Sequence, residues 1–288
     1  MSRIFEALQR SEAERPGAEF LTPDRFAAGL LRFEKRETPE ADTFASAAVL
    51  CPEPSVDARL VCLTDQGSLG AETFRVLGLR LRHLREKRKL KKIVITSTIP
   101  EEGKSFVATN LALNQARSKT LKAVLVDGDL RRPTQASRLG FSRNLPGLSE
   151  YLRDEKSLTD VVYRLQGTGL WFLPAGVAPE NPIELMQAGR LTGLFDQLEQ
   201  FFDWIVIDTP PIFPLADTPL WMKSADGVLL VTREGVSDKK LLTQAVETLD
   251  RSTMLGVVVN SCIGNGQGYY KNYWSPAARQ KIAPAIDS

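Results

Sequence analysis

Histidine is almost missing from this chain: His83 is the only one among 288 residues. That argues against a zinc site built on imidazoles and against a Ser-His-Asp hydrolase. Cysteine is sparse as well. Cys51, Cys62 and Cys262 show neither CxxC nor metal-ligand spacing, and an odd, scattered set fits a reducing cytoplasm with no disulfide framework. No apolar run approaches the roughly 18 residues that cross a bilayer. No apolar segment follows Met1-Ser2-Arg3, so a secretory leader is not expected. An excess of one charge is lacking too. The 37 Lys and Arg against 35 Asp and Glu leave a net charge of +2, and electrostatics alone do not point to nucleic acid. What the chain does have is 43% hydrophobic residues, enough for one large α/β domain with appendages or two small domains.

The most informative stretch is KKIVITSTIPEEGKSFVAT, residues 91–109. Ile93-Val94-Ile95 is a short β-branched run that predicts a buried strand. A loop follows, then Gly103-Lys104-Ser105, then an amphipathic helical pattern from Phe106. Strand, loop, Gly-Lys-Ser and helix are the context of a phosphate-binding loop, in which successive backbone N–H groups and a helix N-terminus point at one anion. Nucleotide would then lie along Pro100, Glu101, Glu102, Gly103, Lys104, Ser105 and Phe106. One departure is visible, because Thr98 stands where such loops begin with glycine. A bare Gly-Lys-Ser is common by chance, so the rest of the chain has to support the reading.

A second apolar strand, Ala123 to Val126, runs into Asp127-Gly128-Asp129-Leu130-Arg131-Arg132-Pro133. Carboxylates two apart at a strand end point the same way, toward the crevice where α/β sheets bind ligands; alone they read equally as a polar turn. Short strands or helix starts follow at Leu148–Leu152, Leu170–Leu173 and Asn181–Met186. Residues 204–211, WIVIDTPP, place Asp208 at another strand tip, where phosphate-binding enzymes keep a carboxylate for metal or water. Gly227–Thr232 and Leu255–Asn260 are further strands around a helix over 238–250. Alternating apolar strands and amphipathic helices predict an α/β fold: a mostly parallel sheet with helices on both faces, an N-terminal helical arm and a C-terminal tail. The expected division is 1–64 for N-terminal helix and linker, 65–262 for the main domain and 263–288 for the tail.

Three further segments carry alternatives. Residues 2–15 form a short helical stripe, either packed on the body or docking a partner. Residues 69–90 form a long helix with Phe74, Leu77, Leu81 and Leu84 on one face and many arginines on the other. Such a charge run usually marks a solvated face, the sharper option being an acidic subunit surface or anionic lipid. After a glycine-rich hinge at 264–268 come Tyr269, Tyr270 and Tyr273, three of the five tyrosines in the chain. They are either an aromatic anchor or phosphate acceptors carried on a linker.

Taken together, the Lys104-Ser105 loop, the motif Asp127-Gly-Asp129-Leu-Arg131-Arg132-Pro133 and Ile205-Val-Ile-Asp208-Thr-Pro-Pro211 resemble, in order, the three nucleotide motifs of the bacterial tyrosine kinases. These are P-loop autokinases paired with polysaccharide co-polymerases. Leu173-Pro-Ala-Gly176, Asn181-Pro-x-Glu184-Leu185 and the tyrosine cluster are similar to further signposts of that family. The resemblance spans roughly residues 65–275. It implies that Lys104 stabilises charge on the γ-phosphate of ATP, that Ser105, Asp127 and Asp208 hold Mg²⁺, and that Asp127 or Asp129 accepts the tyrosine proton. A phenol of pKa about 10 needs such help. Arg131 and Arg132 would pair with phosphate or with the acidic loop residues. Asn260 would contact the adenine or serve as a turn residue. Tyr269, Tyr270 and Tyr273 would be the acceptors, reached in trans within a homo-oligomer. The family's Glu-x-x-Arg-x-x-Arg interface is matched by Glu72 and Arg75, with Gly78 at the third position and Arg80 two further on. The resemblance also implies a membrane polysaccharide co-polymerase as activator, a cognate tyrosine phosphatase, no nucleic acid, and a cytoplasmic protein recruited to the inner face of the plasma membrane. The competing readings are a positioning ATPase that dimerises around ATP, and a nucleotide-binding scaffold without catalysis.

Overall fold

The computed structural model describes residue 44 and residues 46–187, 189–213 and 217–261, within the unit Thr43–Ser288. The expected helix at 2–15, the stretch 16–43, Cys262 and the tyrosines at 269, 270 and 273 lie outside the described residues.

In chain order the elements are β1 (Val49–Leu50), a 3-10 turn (Val56–Ala58), α1 (Val61–Thr64), α2 (Leu69–Lys87), β2 (Lys92–Ser97), α3 (Lys104–Ala116) and β3 (Ala123–Asp127). There follow α4 (Gln135–Arg138), α5 (Leu148–Leu152), α6 (Leu158–Val161), β4 (Tyr163–Leu165), β5 (Leu170–Leu173), α7 (Pro182–Gln187) and α8 (Arg190–Phe201). The last are β6 (Trp204–Asp208), α9 (Asp217–Ser224), β7 (Gly227–Arg233), α10 (Lys239–Thr248) and β8 (Met254–Asn260). One eight-stranded sheet runs β1-β4-β5-β3-β6-β2-β7-β8. Every neighbouring pair is parallel except β4 with β5.

The sequence dictates this through its unbroken apolar strands. In β2, β3 and β6 every residue is buried, as befits strands covered on both faces. Alternate side chains then feed opposite cores. Val94, Val124, Val126, Ile205 and Ile207 join one, closed by α5, α8, α9 and α10 through Leu148, Leu194, Trp221 and Ala245. Ile93, Ile95, Leu125, Val206 and Val231 join the other, closed by α2 and α3 through Phe74, Leu81, Val107 and Leu111.

Local signals start the helices. The Ser68 hydroxyl accepts from Ala71 N at 3.1 Å to cap α2, and Asp238 caps α10. α3 differs: its cap position is Gly103, with no side-chain cap. The N–H groups of its first turn are therefore open to an anion.

The arginine-rich helix α2 is less solvated than its charge run suggests. Arg82 donates to Gln115 at 3.3 Å, Arg85 reaches Asp203 and lies 5.0 Å from the Trp204 ring centroid, and Arg88 holds the carbonyls of Ser252 and Asp226. Long cationic side chains lay their stems over the core and spend their heads on carbonyls and carboxylates. Arg80 remains exposed. Ahead of residue 65, β1 pairs with β4, Leu60 is buried and Phe44 packs among Trp171, Phe201 and Phe202.

Candidate active site

The site lies at the C-terminal ends of the three central strands β3, β6 and β2. Asp127 and Asp208 end β3 and β6 as register partners, and Ile95 of β2 is the register partner of Asp208 on its other side. The turn after β6 is stitched to the root of the β2 loop. Thr209 N donates to Ile95 O (3.1 Å), Ile212 N to Ser97 O (2.8 Å), Phe213 N to Thr98 O (3.2 Å) and the Thr96 hydroxyl to Pro210 O (2.8 Å). This is what the Thr-Pro-Pro sequence accomplishes, since its prolines supply carbonyl acceptors without demanding partners for N–H groups.

The loop between β2 and α3 turns through left-handed backbone at Glu101 (φ 67°) and Gly103 (φ 97°). Glycine is required at 103 twice over. The conformation disfavours a side chain, and a Cβ there would lie 2.1 Å from the Asn260 side-chain nitrogen. Asn260, at the end of β8, donates to the Glu102 carbonyl at 2.9 Å, so it braces the loop backbone. The Glu102 carboxylate, fully buried, turns away from the cavity. It accepts from Ile99 N at 2.9 Å and from the hydroxyl of Ser237, at the start of the α10 approach. Phe106 packs on Phe74, ring centroids 5.6 Å apart, as part of the α2–α3 contact.

A cavity of about 610 Å³ opens in front of this loop, lined by Pro100, Glu101, Gly103, Lys104, Ser105, Asp129, Arg131, Arg132, Thr134, Arg138 and Pro211. Lys104 Nζ donates to Asp129 at 2.9 Å and lies 3.8 Å from Asp208. Burial works against its ammonium, but Asp208, Asp129 and Asp127 together outweigh that and hold its pKa above the ordinary lysine value. Asp129 is fully engaged, its second oxygen accepting from Arg132 N at 3.0 Å. Asp127 and Asp208 are completely buried. Burial first, then the neighbouring Asp208, raises the Asp127 pKa; burial also raises that of Asp208, against the pull of Lys104.

Each of these two carboxylates has one oxygen satisfied and one not. Asp127 Oδ2 accepts from Gln135 N and Asp208 Oδ2 from Gln135 Nε2, both at 2.9 Å. Asp127 Oδ1 and Asp208 Oδ1 are buried with no hydrogen-bond partner among the described residues. Two such buried carboxylate oxygens, that of Asp208 3.8 Å from the Lys104 ammonium and its carboxyl within reach of the Ser105 hydroxyl, are a donor set that fits a hard divalent cation. Mg²⁺ takes one or two carboxylates and completes its shell with water and phosphate. A self-sufficient cage of three or more His, Cys, Asp or Glu side chains is absent among the described residues, and that preference does not require one.

Both arginines expected to meet phosphate or the acidic loop residues line the cavity. Arg131 forms a two-pronged pair with buried Asp217 of α9, at 2.7 and 3.0 Å. Arg132 is exposed at the cavity edge. Arg138 lines the cavity and ties it to the preceding segment through Ala58 O at 3.1 Å. Sequence reasoning missed Gln135, Asp217 and Ser237. The Asp-x-Asp-Leu-Arg-Arg-Pro run signals Gln135 only by adjacency, and the other two lie in regions with no motif of their own.

At the expected oligomer contact, Glu72 and Arg75 pair with each other, and Arg75 also holds Gln66 O. Gly78 faces inward on α3, where a Cβ would meet the Asn114 side-chain nitrogen at 2.2 Å.

No protein-family model matches the chain. The tyrosine-protein kinase YwqD of Bacillus subtilis (strain 168) is 32% identical over 203 residues, covering 70% of this chain and 85% of YwqD. Among solved structures, the chimerical protein CapA2B2 superposes with a TM-score of 0.67 at 28% identity, covering 75% of this chain and 93% of that one. The septum site-determining protein MinD of Pyrococcus horikoshii OT3, complexed with Mg-ADP, reaches a TM-score of 0.51 at 24% identity over 59% of this chain and 70% of its own, a likeness of fold. With a loop, a paired-aspartate site and a relative of this closeness and coverage, the chain belongs to the bacterial tyrosine-protein kinases.

Proposed function

We propose that this kinase uses Mg-ATP to phosphorylate tyrosines of its own C-terminal cluster, Tyr269, Tyr270 and Tyr273, in trans between copies. The observation that carries the reading is the convergence of Lys104, Asp129, Asp127 and Asp208 at the tips of adjacent parallel strands, with two buried carboxylate oxygens left without partners. Phosphoryl transfer asks a protein mainly for positioning and for charge neutralisation. The uncapped first turn of α3 and the loop amides receive the phosphates. Lys104 exchanges its carboxylate partners for phosphate oxygens and stabilises the charge of the transferred group. Ser105, Asp127 and Asp208 hold Mg²⁺, which neutralises phosphate charge when bound. Asp129 is the proton acceptor for the tyrosine hydroxyl, because it lines the cavity while Asp127 lies beneath it. Glu102 and Asn260 serve the nucleotide through the loop they brace, and Phe106 through the helix it anchors.

In this reading residues 65–262 are the catalytic domain, 1–64 the N-terminal helix and linker and 263–288 the acceptor tail. The kinase regulates the polymerisation and export of an extracellular polysaccharide. A membrane co-polymerase activates it and recruits it to the inner face of the plasma membrane, and a cognate phosphatase resets it. Glu72, Arg75 and Arg80 remain the candidate contact between copies. No helix among the described residues is long and apolar enough to cross a membrane. The second reading is a positioning ATPase that dimerises around ATP. Purified protein incubated with Mg-ATP and probed for phosphotyrosine separates the two. Signal abolished by Lys104→Met and by the triple Tyr269/Tyr270/Tyr273→Phe variant is the expected result. Phosphate release without phosphotyrosine would favour the ATPase, and neither product a scaffold.

A further inference from the structure

The side chain beneath the cavity with the most connections is neither a charged group nor part of a motif. Gln135, the first residue of α4, is completely buried. Its amide nitrogen donates twice, to Ser105 O at 3.1 Å and to Asp208 Oδ2 at 2.9 Å. Its amide oxygen accepts from the Thr109 hydroxyl of α3, and its backbone N–H donates to Asp127 Oδ2 at 2.9 Å. One residue thus touches the phosphate-loop helix, the β3 carboxylate and the β6 carboxylate at once.

The orientation of this amide is fixed by its neighbours. A flipped amide would put its oxygen against the Ser105 carbonyl and the Asp208 carboxylate, with no N–H among the three. The Thr109 hydroxyl also lies 2.8 Å from Ser105 O; its single proton serves either that carbonyl or the Gln135 oxygen, and the amide keeps the same orientation in both cases. The two donations of the Gln135 amide nitrogen, to Ser105 O and Asp208 Oδ2, are what fix it. Its consequence lies on the far side of the carboxylates. Because Gln135 occupies Oδ2 of both aspartates, the oxygens left over are Oδ1 of Asp127 and Oδ1 of Asp208, buried and without hydrogen-bond partners among the described residues, with the Lys104 ammonium 3.8 Å from the latter.

We propose that Gln135 is the positioning residue of the metal site: it orients the two carboxylates so that one oxygen of each faces the divalent cation, and it ties that orientation to the Ser105 turn. Groups that hydrogen-bond to metal-holding carboxylates tune affinity by about 10- to 100-fold when removed, which sets the scale of the effect. The inference rests on the Mg²⁺ reading of Asp127 and Asp208.

The test is a fluorescent-ADP binding titration on the full chain, run in EDTA and across a Mg²⁺ series, with thermal melting and circular dichroism recorded alongside. In Gln135→Met, which keeps length but donates nothing from its side chain, half-saturation by Mg²⁺ should rise about tenfold, with ADP affinity in EDTA kept within about twofold. Thr109→Val, on a different element and nearly isosteric, should move the Mg²⁺ titration in the same direction by a smaller factor, which keeps the test alive if Gln135→Met folds poorly. Gln135→Glu should also weaken Mg²⁺ binding, because a carboxylate cannot donate to Asp208. Equal weakening in EDTA and in Mg²⁺, or an unmoved Mg²⁺ midpoint in both Gln135→Met and Thr109→Val, overturns the proposal. A wild-type protein whose ADP affinity ignores Mg²⁺ would instead overturn the metal reading on which it rests.

Discussion

Asp127 and Asp208 are neighbours across one rung of a parallel sheet, each the last residue of its strand, and both fully buried. Like charges so placed disfavour ionisation of both, and burial adds to the effect. Lys104 compensates Asp208 more directly than Asp127, being 3.8 Å from the former. The pair is therefore held together at a cost to stability, as expected of groups kept to grip a cation.

This cost sets the first prediction. The Asp127 carboxyl is raised from 3.8 to about 8, chiefly by burial and then by Asp208. A carboxyl raised in the folded state contributes stability that is present below its unfolded pKa and is lost as pH climbs through the folded value. The ligand-free protein should therefore lose stability between pH 3.8 and about 8 on account of this group. Asp127→Asn mimics the protonated form and keeps an acceptor for Gln135 N. Without Mg²⁺ or nucleotide it should melt above wild type at pH 8, by on the order of 1–2 kcal/mol or a few degrees. The advantage should shrink toward pH 5, and kinase activity should be lost. A variant that melts below wild type at pH 8 would contradict the assignment.

The second prediction concerns Gly103. Alanine there meets a positive-φ penalty of roughly 1–2 kcal/mol and the Asn260 amide at 2.1 Å. Gly103→Ala should weaken ATP binding at least tenfold while leaving the fold intact by circular dichroism. Pairing it with Asn260→Ala removes the collision but not the backbone strain, and also frees the Glu102 carbonyl that Asn260 holds. Recovery in the double variant should be partial. Full recovery in equilibrium nucleotide binding would show that the collision alone matters.

The fold was legible because its signal is redundant. The runs Ile93–Ile95, Ala123–Val126 and Trp204–Ile207 are apolar throughout and short, as fits strands buried on both faces. The short β4 was not legible, because Tyr163-Arg164-Leu165 alternates over too few residues to stand out, and its antiparallel pairing with β5 is a tertiary fact. In the site, Lys104, Asp127, Asp129 and Asp208 could be read because chemistry demands charge at strand tips. Asp217, Ser237 and Gln135 could not, since a buried partner is chosen by three-dimensional proximity: Arg131 finds Asp217 across 86 positions of sequence, and Glu102 finds Ser237 across 135. Asn260 was offered two roles, adenine contact or turn residue, and in the structure it hydrogen-bonds the loop backbone.

A third prediction follows from α2. Gly78 lies against Asn114 of α3, whose amide nitrogen is buried with no hydrogen-bond partner among the described residues and would sit 2.2 Å from a Cβ at 78. Gly78→Ala alone should be neutral or destabilising, because the helix-propensity gain of roughly 0.5–1 kcal/mol is offset by pushing Asn114 aside. In an Asn114→Ser background the same change should stabilise by about that propensity gain. A double-mutant cycle in urea measures the coupling, expected in the range of about 0.5–3 kcal/mol for residues in contact. A coupling near zero would mean that the two helices do not approach as closely as the structure has them. Gly78→Arg, which completes the arginine spacing of the family's interface, should destabilise the domain, because position 78 faces the core.

The last prediction tests the brace behind the phosphate loop. The Glu102 carboxylate is completely buried, and its two oxygens are satisfied by Ile99 N within the loop and by the Ser237 hydroxyl on the far side of β7. Ser237 in turn holds the turn after β7 through Arg233 N at 3.0 Å and Thr232 Oγ1 at 2.6 Å. Removing the hydroxyl leaves a buried acceptor without its donor, a loss of about 1–3 kcal/mol. Ser237→Ala should therefore lower the melting temperature by a few degrees. It should also weaken ATP binding severalfold, although residue 237 is not among those lining the cavity. Glu102→Gln separates the two effects, since an amide still accepts from one donor but sheds the charge. It should recover melting temperature in the Ser237→Ala background while nucleotide affinity stays low, because the loop remains untethered from β7. If Ser237→Ala binds ATP as wild type does, the loop holds its shape from Gly103 and Asn260 alone, and the Glu102 brace serves stability only.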